Sequence, residues 1–520
     1  MHICQEIFCC RRSAVRLSSS LPLRMVDSRI PWRAYLSHGA TLRRLGVVLL
    51  TFSVASLILV AHPTTRAKGY TLLSSGLPVA GGGMGNNGGP SYNELRRKIQ
   101  DLPQHNLDLP FPEGKNGRYL RFTATANWIG WNNVLNERLM NAHLAYTTNR
   151  AYVFTEYWWS PEHYQFKPVP EGGANTPMPA LLSGPAVGGP WHPPNSSAIA
   201  NGVSPPRAVS EAYWNNVCPQ ESRRIINTAD IKPLIPGGRD NADGRDILAY
   251  WQKLLLDAPE RCIEIVPPEW DVDNFPQVFD LRLWGSTRIL TLWDEFSQSP
   301  VSTLLGPSDI VQAAVTTNLD SGVFSGRTRW WWPANWRSDP FERMLAIHLR
   351  RGDFIDHCRN LANWGSGYYG WANLAFLPDI KGGRFPTSEG EQRKAEVMAQ
   401  CLPDVAGIVS RVGEVARDWR LRPAATKDDN ELDIIYLLTN EKGDFLDELV
   451  AALKLAGWRN IVTTRDLYLT IEQVDVSLAV DMEIARRAEV FIGNAWSSFS
   501  SNVIHQRLVA KKDPWSVRFS

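Results

Sequence analysis

Apolar positions in this chain follow two rhythms that alternate. Residues 118–124 (RYLRFTA) read as a strand, and residues 131–148 then carry Val134, Leu135, Leu139, Ala142, Leu144 and Ala145 at helical spacing. Ala151–Phe154 reads as the next strand, which completes a β-α-β unit. A second series begins near Glu342: strands at Met344–Leu349 and 432–438, a helix over 445–455, a strand at Asn460–Thr463, a helix over 476–488 and a strand over 490–492 that ends in Gly493-Asn494. Strands that alternate with helices of this length predict an α/β fold of parallel sheets with covered faces. Two such units face to face would place a ligand at the carboxyl ends of their strands. Between the two series, the Pro/Gly/Ser-rich residues 160–210 read as a long insertion loop, and 220–320 as mixed and largely helical.

The N-terminus follows neither rhythm. Residues 45–61 (LGVVLLTFSVASLILVA) carry no charge, and as a helix they would extend about 25 Å, slightly short of a ~30 Å hydrocarbon core. Arginines 11, 12, 16, 24, 29, 33, 43 and 44 precede them with almost no acid, which predicts a cytoplasmic tail over 1–44, an anchor over 45–61 and a lumenal remainder. A cleaved signal peptide and a buried core helix are the rival readings. So short a span suits the thin membranes of the endoplasmic reticulum or Golgi. Residues 62–108 read as a flexible stem, because the stretch GGGMGNNGGP at 81–90 has nothing to bury. Its literal G-x-G-x-x-G, Gly83 to Gly88, lacks the flanking strand and helix of a dinucleotide site. A net charge of +2 over 520 residues excludes wholesale binding of nucleic acid and leaves only local anion sites. Cys218, Cys262, Cys358 and Cys401 would be lumenal and could form two disulfides in any of three pairings. Asn195-Ser-Ser is a glycosylation sequon.

Three stretches carry chemistry. Gly130-Trp-Asn132-Asn133 stands at a strand-to-helix turn, where glycine lets backbone approach a ligand and an Asn can cap the helix or donate to a phosphate or sugar. In His348-Leu-Arg350-Arg351, strand alternation puts His348 and Arg350 on one face and Arg351 on the other. A guanidinium stays charged and can fork onto two phosphate oxygens; a strand-end ion pair, for example of Arg351 with Asp353, is the plainer reading. The third stretch runs from Asp481 through Asn494 to Ser497, Ser498 and Phe499, a buried strand leading to hydroxyls at a helix start, whose free amides suit phosphate. A separate D-x-D, Asp271 and Asp273, could hold a divalent cation under a nucleotide-sugar diphosphate.

In this order, G-x-N-(N/Q), H-L-R-R and D…A-x-x-F-I-G-N…S-S-F-(S/T) resemble the GDP-fucose protein O-fucosyltransferase superfamily, of which this chain would be a divergent member. The resemblance implies a GT-B-like pair of Rossmann-like domains facing a cleft, 109–335 with the Pro/Gly-rich insertion and 336–520 binding the nucleotide sugar. It implies an inverting, metal-independent glycosyltransferase of the secretory pathway, with GDP-fucose as donor, no cofactor and a protein hydroxyl, of Ser or Thr, as acceptor. Arg350 resembles the family's essential arginine on the β-phosphate, and His348 its neighbour at the nucleotide. Gly130, Asn132 and Asn133 match the glycine turn near the sugar, and Asp481 the acid at the nucleotide base. Ser497, Ser498 and Phe499 match the phosphate-side turn, while Asn494 and Arg351 complete the expected binding set. Some members carry a glutamate just before the glycine turn, proposed as the base for the acceptor; here that place holds Asn127-Trp-Ile129. A lumenal protein that binds a GDP-sugar without transferring it is therefore the alternative, as is metal-dependent transfer through Asp271 and Asp273.

Overall fold

The computed structural model describes residues 89–126, 129–192, 204–269, 272–325, 339–422 and 431–520. Contacts divide the chain after Pro78, and every described residue belongs to the second unit, Val79–Ser520. The apolar run 45–61, the basic leader, the sequon at Asn195 and the tryptophans at 330–332 lie outside the described residues; among those described, no helix is long and apolar enough to cross a membrane.

Two five-stranded parallel sheets organise this unit. The first contains β1 (Tyr119–Phe122), β2 (Ala151–Phe154), β3 (Val209–Ser210), β4 (Arg223–Asn227) and β5 (Cys262–Val266), in the spatial order β3-β2-β1-β5-β4. The second contains β6 (Met344–Leu349), β7 (Ile434–Thr439), β8 (Asn460–Thr463), β9 (Val490–Gly493) and β10 (Val517–Phe519), ordered β8-β7-β6-β9-β10. The helices that matter below are α1 (Asn93–Gln100), α2 (Trp131–Thr147), α3 (Phe354–Asn363), α4 (Gly390–Cys401), α5 (Val405–Leu421), α6 (Asp444–Leu455), α7 (Ser477–Arg487) and α8 (Ser498–Val509).

One continuous core fills the space between the sheets. Leu120 and Phe122 of β1, Met344 and Ala346 of β6, and Tyr436 of β7 all belong to it, together with residues of α2, α7 and α8. Leu345, Ile347 and Leu349 turn the other way and pack with Ile408, Val412 and Leu449 of α5 and α6. The period of two along β6 thus sends His348 toward the shared core and its neighbours to the outer face.

Several expectations need correction. Residues 89–108 are part of the fold: α1 is helical, and buried Tyr92 donates to the Asp475 carboxylate at 2.8 Å, so this stretch is not flexible stem. Residues 160–210 are more than a loop where described: Met178, Leu181 and Trp191 are buried, and Thr176 donates to Asp475 at 2.6 Å. Residues 220–320 are mixed and largely helical, as expected, but their strands β4 and β5 were not located in advance. Their strand character is masked by charge, because Glu264 of β5 is buried against Arg121 at 2.5 Å and Arg223 at 3.3 Å.

Of the three possible disulfide pairings, the structure contains Cys218–Cys262 and Cys358–Cys401. The first spans 44 residues of sequence and ends on β5, an inner strand of the first sheet. Replacing Cys218 and Cys262 together with alanine is expected to cost about 4 kcal/mol through loop entropy alone. Denaturant unfolding under oxidising conditions measures that loss.

Candidate active site

The site is assembled where the carboxyl ends of β1, β6 and β9 meet the helices that follow them. After β9 the chain makes a tight turn. Asn494 accepts the amide of Trp496 at 3.1 Å on Oδ1 and donates from Nδ2 to the Cys401 carbonyl at 2.9 Å. Asn494 is fully committed to shaping this turn, and through Cys401 it is joined to the disulfide that ends on α3. Ser497 then caps α8, accepting the Phe499 amide at 3.3 Å. A cap of this kind leaves other amides of the first turn, those of Ser498 and Ser500, pointing outward with the positive end of the helix dipole.

Glycine at 493 is a packing requirement. A Cβ there would lie 2.9 Å from the Ser500 hydroxyl and 3.0 Å from its Cβ, so α8 could not sit this close to the end of β9. That approach lets Ser500 Oγ meet His348 Nδ1 at 3.0 Å, while the Phe499 ring lies 4.5 Å from the imidazole. Burial, reinforced by the charge of Arg350, lowers the His348 pKa to about 3, so the ring is neutral at physiological pH.

Arg350 leaves the same face two residues later. Its Nη2 donates to Asp353 Oδ2 at 2.6 Å, and about a third of the side chain (32%) is exposed. Asp353 is itself held by Asn440, whose Nδ2 donates to its other oxygen at 2.9 Å and to the Arg351 carbonyl at 2.9 Å. Among the described residues only one nitrogen of Arg350 makes a hydrogen bond, and the Phe354 ring centroid lies 5.8 Å from its guanidinium carbon. Arg351 differs. It turns to the outer face, pairs with Glu441 at 3.2 Å, donates to the Pro403 carbonyl at 2.9 Å and lies 3.7 Å from the Phe445 ring centroid. The expected ion pair with Asp353 is thus made by Arg350, and Arg351 is not brought together with the other candidates.

The glycine turn enters from the first sheet. Asn132, in the first turn of α2, accepts from Asn502 Nδ2 at 2.9 Å on its carbonyl and 3.1 Å on its side chain. Its own Nδ2 makes no hydrogen bond among the described residues. Asn133 accepts the Tyr369 hydroxyl at 3.0 Å, and the Tyr369 amide donates to the Ala495 carbonyl at 2.9 Å. All three sequence stretches therefore converge: His348 to Ser500, Asn502 to Asn132, and Asn133 through Tyr369 to the turn after β9. Gly130 has φ −57°, and among the described residues a Cβ there would meet nothing within 4 Å, so neither conformation nor packing against them demands glycine.

No protein-family model and no curated protein matches this sequence. Among solved structures, the apo form of POFUT1 aligns with 77% of this chain and 97% of its own, at 15% identity and a TM-score of 0.43. POFUT1 in complex with GDP-fucose aligns over 77% and 98%, at 16% identity and 0.43. A mutant of Arabidopsis thaliana FUT1 in complex with GDP aligns over 79% and 72%, at 12% identity and 0.30.

Sequence reasoning singled out neither Asp353 and Asn440 as a pair nor Ser500, Asn502 and Tyr369. Asn440 directly follows β7, and the rule that ligands gather at carboxyl ends of parallel strands could have found it. Of the proposed cation pair, Asp271 lies outside the described residues, and Asp273 is buried in an ion pair with Lys232 at 3.1 Å. Among the described residues no group of three His, Cys, Asp or Glu gathers around a common point.

Asp481 sits on α7 beneath the second sheet, accepting from the Tyr436 hydroxyl at 2.5 Å and from Thr464 Oγ1 at 3.0 Å. Burial pushes its pKa from 3.8 up to about 7. The folded chain therefore keeps a proton that the unfolded chain has already lost, and stability from this group is full below about pH 4 and lost as pH rises through about 7. Asp481→Asn keeps both hydroxyl acceptances and removes that loss. Its Tm relative to the unsubstituted protein should climb steadily between about pH 4 and about pH 8; a pH-independent difference would contradict the assignment.

Proposed function

We propose that this chain is an inverting, metal-independent glycosyltransferase that moves fucose from GDP-fucose to a hydroxyl, of Ser or Thr, on a protein of the secretory pathway. The supporting observation is the convergence of the three motif stretches, through side-chain hydrogen bonds, at the carboxyl ends of two parallel sheets. The open space beside Gly130 adds to it, since glycine there is explained by a ligand's approach rather than by packing.

In this reading the diphosphate lies between Arg350 and the start of α8. Cleavage of the glycosidic bond builds negative charge on the β-phosphate. Arg350 meets that charge with the nitrogens Asp353 leaves free, and the Ser498 and Ser500 amides add fixed dipoles. Neutral His348 supplies no competing charge and fixes the strand end through Ser500. Asn132 directs its free Nδ2 toward the sugar, and Asp481 lies at the base end. The acceptor hydroxyl attacks the sugar carbon from the face opposite the diphosphate, which inverts that centre. With no carboxylate at 127–129, a leaving group that departs early reduces the need for a base.

The test is calorimetry of the protein against GDP-fucose, GDP-mannose and UDP-sugars, combined with turnover on a broad acceptor panel. GDP-fucose should bind preferentially and be consumed. Binding without transfer to any acceptor would favour a lumenal GDP-sugar-binding protein instead. Arg350→Ala should reduce turnover about 10²–10³-fold, the usual cost of losing one preorganised donor to developing charge. Arg350→Lys should recover little, because an ammonium cannot form the planar fork; near-normal turnover in the lysine variant would contradict bidentate contact.

A further inference from the structure

A buried acid reaches the glycine turn from an unexpected direction. Glu137 belongs to the second turn of α2, five residues past Asn132, and is 3% exposed. Its Oε2 accepts the amide of Ala126 at 2.7 Å, and its Oε1 accepts Asn141 Nδ2 at 3.2 Å. The carboxylate thus grips the chain just before the turn from the helix just after it. At the other end of the turn, the Tyr157 hydroxyl donates to the Ile129 carbonyl at 3.1 Å. Tyr157 is buried edge-on against Trp131, with ring centroids 5.1 Å apart. Ala126 and Ile129 are therefore each held by a side chain outside the motif.

We propose that Glu137 is a positioning residue for the transfer reaction, tying Ala126, just past the end of β1, to α2 so that Asn132 is presented to the donor sugar. The inference rests on the fucosyl-transfer reading above and adds to it the group that fixes the turn. Glu137 is not itself the base: it is buried, and each oxygen already accepts a hydrogen bond. Its ionised form is the stronger acceptor for an amide N–H. The titratable groups facing it are Arg138 on its own helix and Tyr152 on β2. Burial outweighs the help from Arg138 and raises the carboxyl to about 7, so the clamp weakens as pH falls through that value.

Three variants and two readouts test this. Hydrogen exchange at the Ala126 amide reports the clamp without any need for activity, and kcat, donor KM and GDP affinity over pH report its consequence. In Glu137→Ala, exchange at Ala126 should accelerate at least about tenfold and kcat fall about 10–100-fold, with GDP affinity kept within about twofold because Arg350 and α8 are untouched. Glu137→Gln retains an amide oxygen for Ala126, so it should recover most of kcat and lose the acid limb near pH 7. Tyr157→Phe removes only the hydroxyl at the other end and should give a smaller loss of the same kind, which keeps the test open if the alanine variant fails to fold. Unchanged exchange at Ala126 in Glu137→Ala, or an acid limb that persists in Glu137→Gln, overturns the proposal. If the unsubstituted protein binds no GDP-fucose, the transfer reading fails by itself, and the exchange result still decides whether the clamp exists.

Discussion

The buried hydrogen bond between His348 and Ser500 fixes the register on which the candidate site depends. It joins the carboxyl end of β6 to the first turn of α8, and it can form only because Gly493 offers no Cβ to the incoming helix. Two residues beyond His348, strand alternation sends Arg350 to the same side of the chain. Two residues farther along α8, Asn502 reaches across to Asn132 on the first sheet. Hydrogen bonds thus connect the end of β6, a helix terminus and the glycine turn, with Arg350 following two residues after His348.

Charge at this edge is distributed with economy. Two adjacent arginines face opposite sides: Arg351 is consumed by Glu441, Pro403 and Phe445, while Arg350 makes a single ion pair and retains most of its donors. Desolvation keeps His348 neutral beside it. Among the described residues Arg350 thus keeps donors free, in a direction set by Asp353 and Asn440. Such an arrangement suits one diphosphate better than a diffuse polyanion, in keeping with a nearly neutral chain.

Much of the second sheet was legible in the sequence, because β6, β7 and β9 are runs of buried apolar residues bounded by turns. The first sheet was legible only in part. β4 reads RRIIN and exposes Ile225, so its pattern resembles a surface segment, and β5 carries a glutamate that only its arginine partners make tolerable inside a sheet. β10 has three residues, too few for any period to show. In the candidate site, motif spacing singled out Arg350, His348 and the glycine turn, whereas Arg351, expected in the same binding set, is drawn to the opposite face by Glu441, Pro403 and Phe445. What spacing could not reveal are partners supplied by tertiary contact: Asn440 behind Asp353, Asn502 against Asn132 and Tyr369 on Asn133. None of these has a local signature, since each is defined by what it meets across the fold.

All of this rests on a pyrophosphate lying against one guanidinium and one helix start, and a crystal structure of the protein with bound GDP addresses that contact directly. We expect the β-phosphate within hydrogen-bonding distance of Arg350 and of the Ser498 or Ser500 amide. GDP seated away from Arg350, with its ion pair to Asp353 undisturbed, would contradict the account.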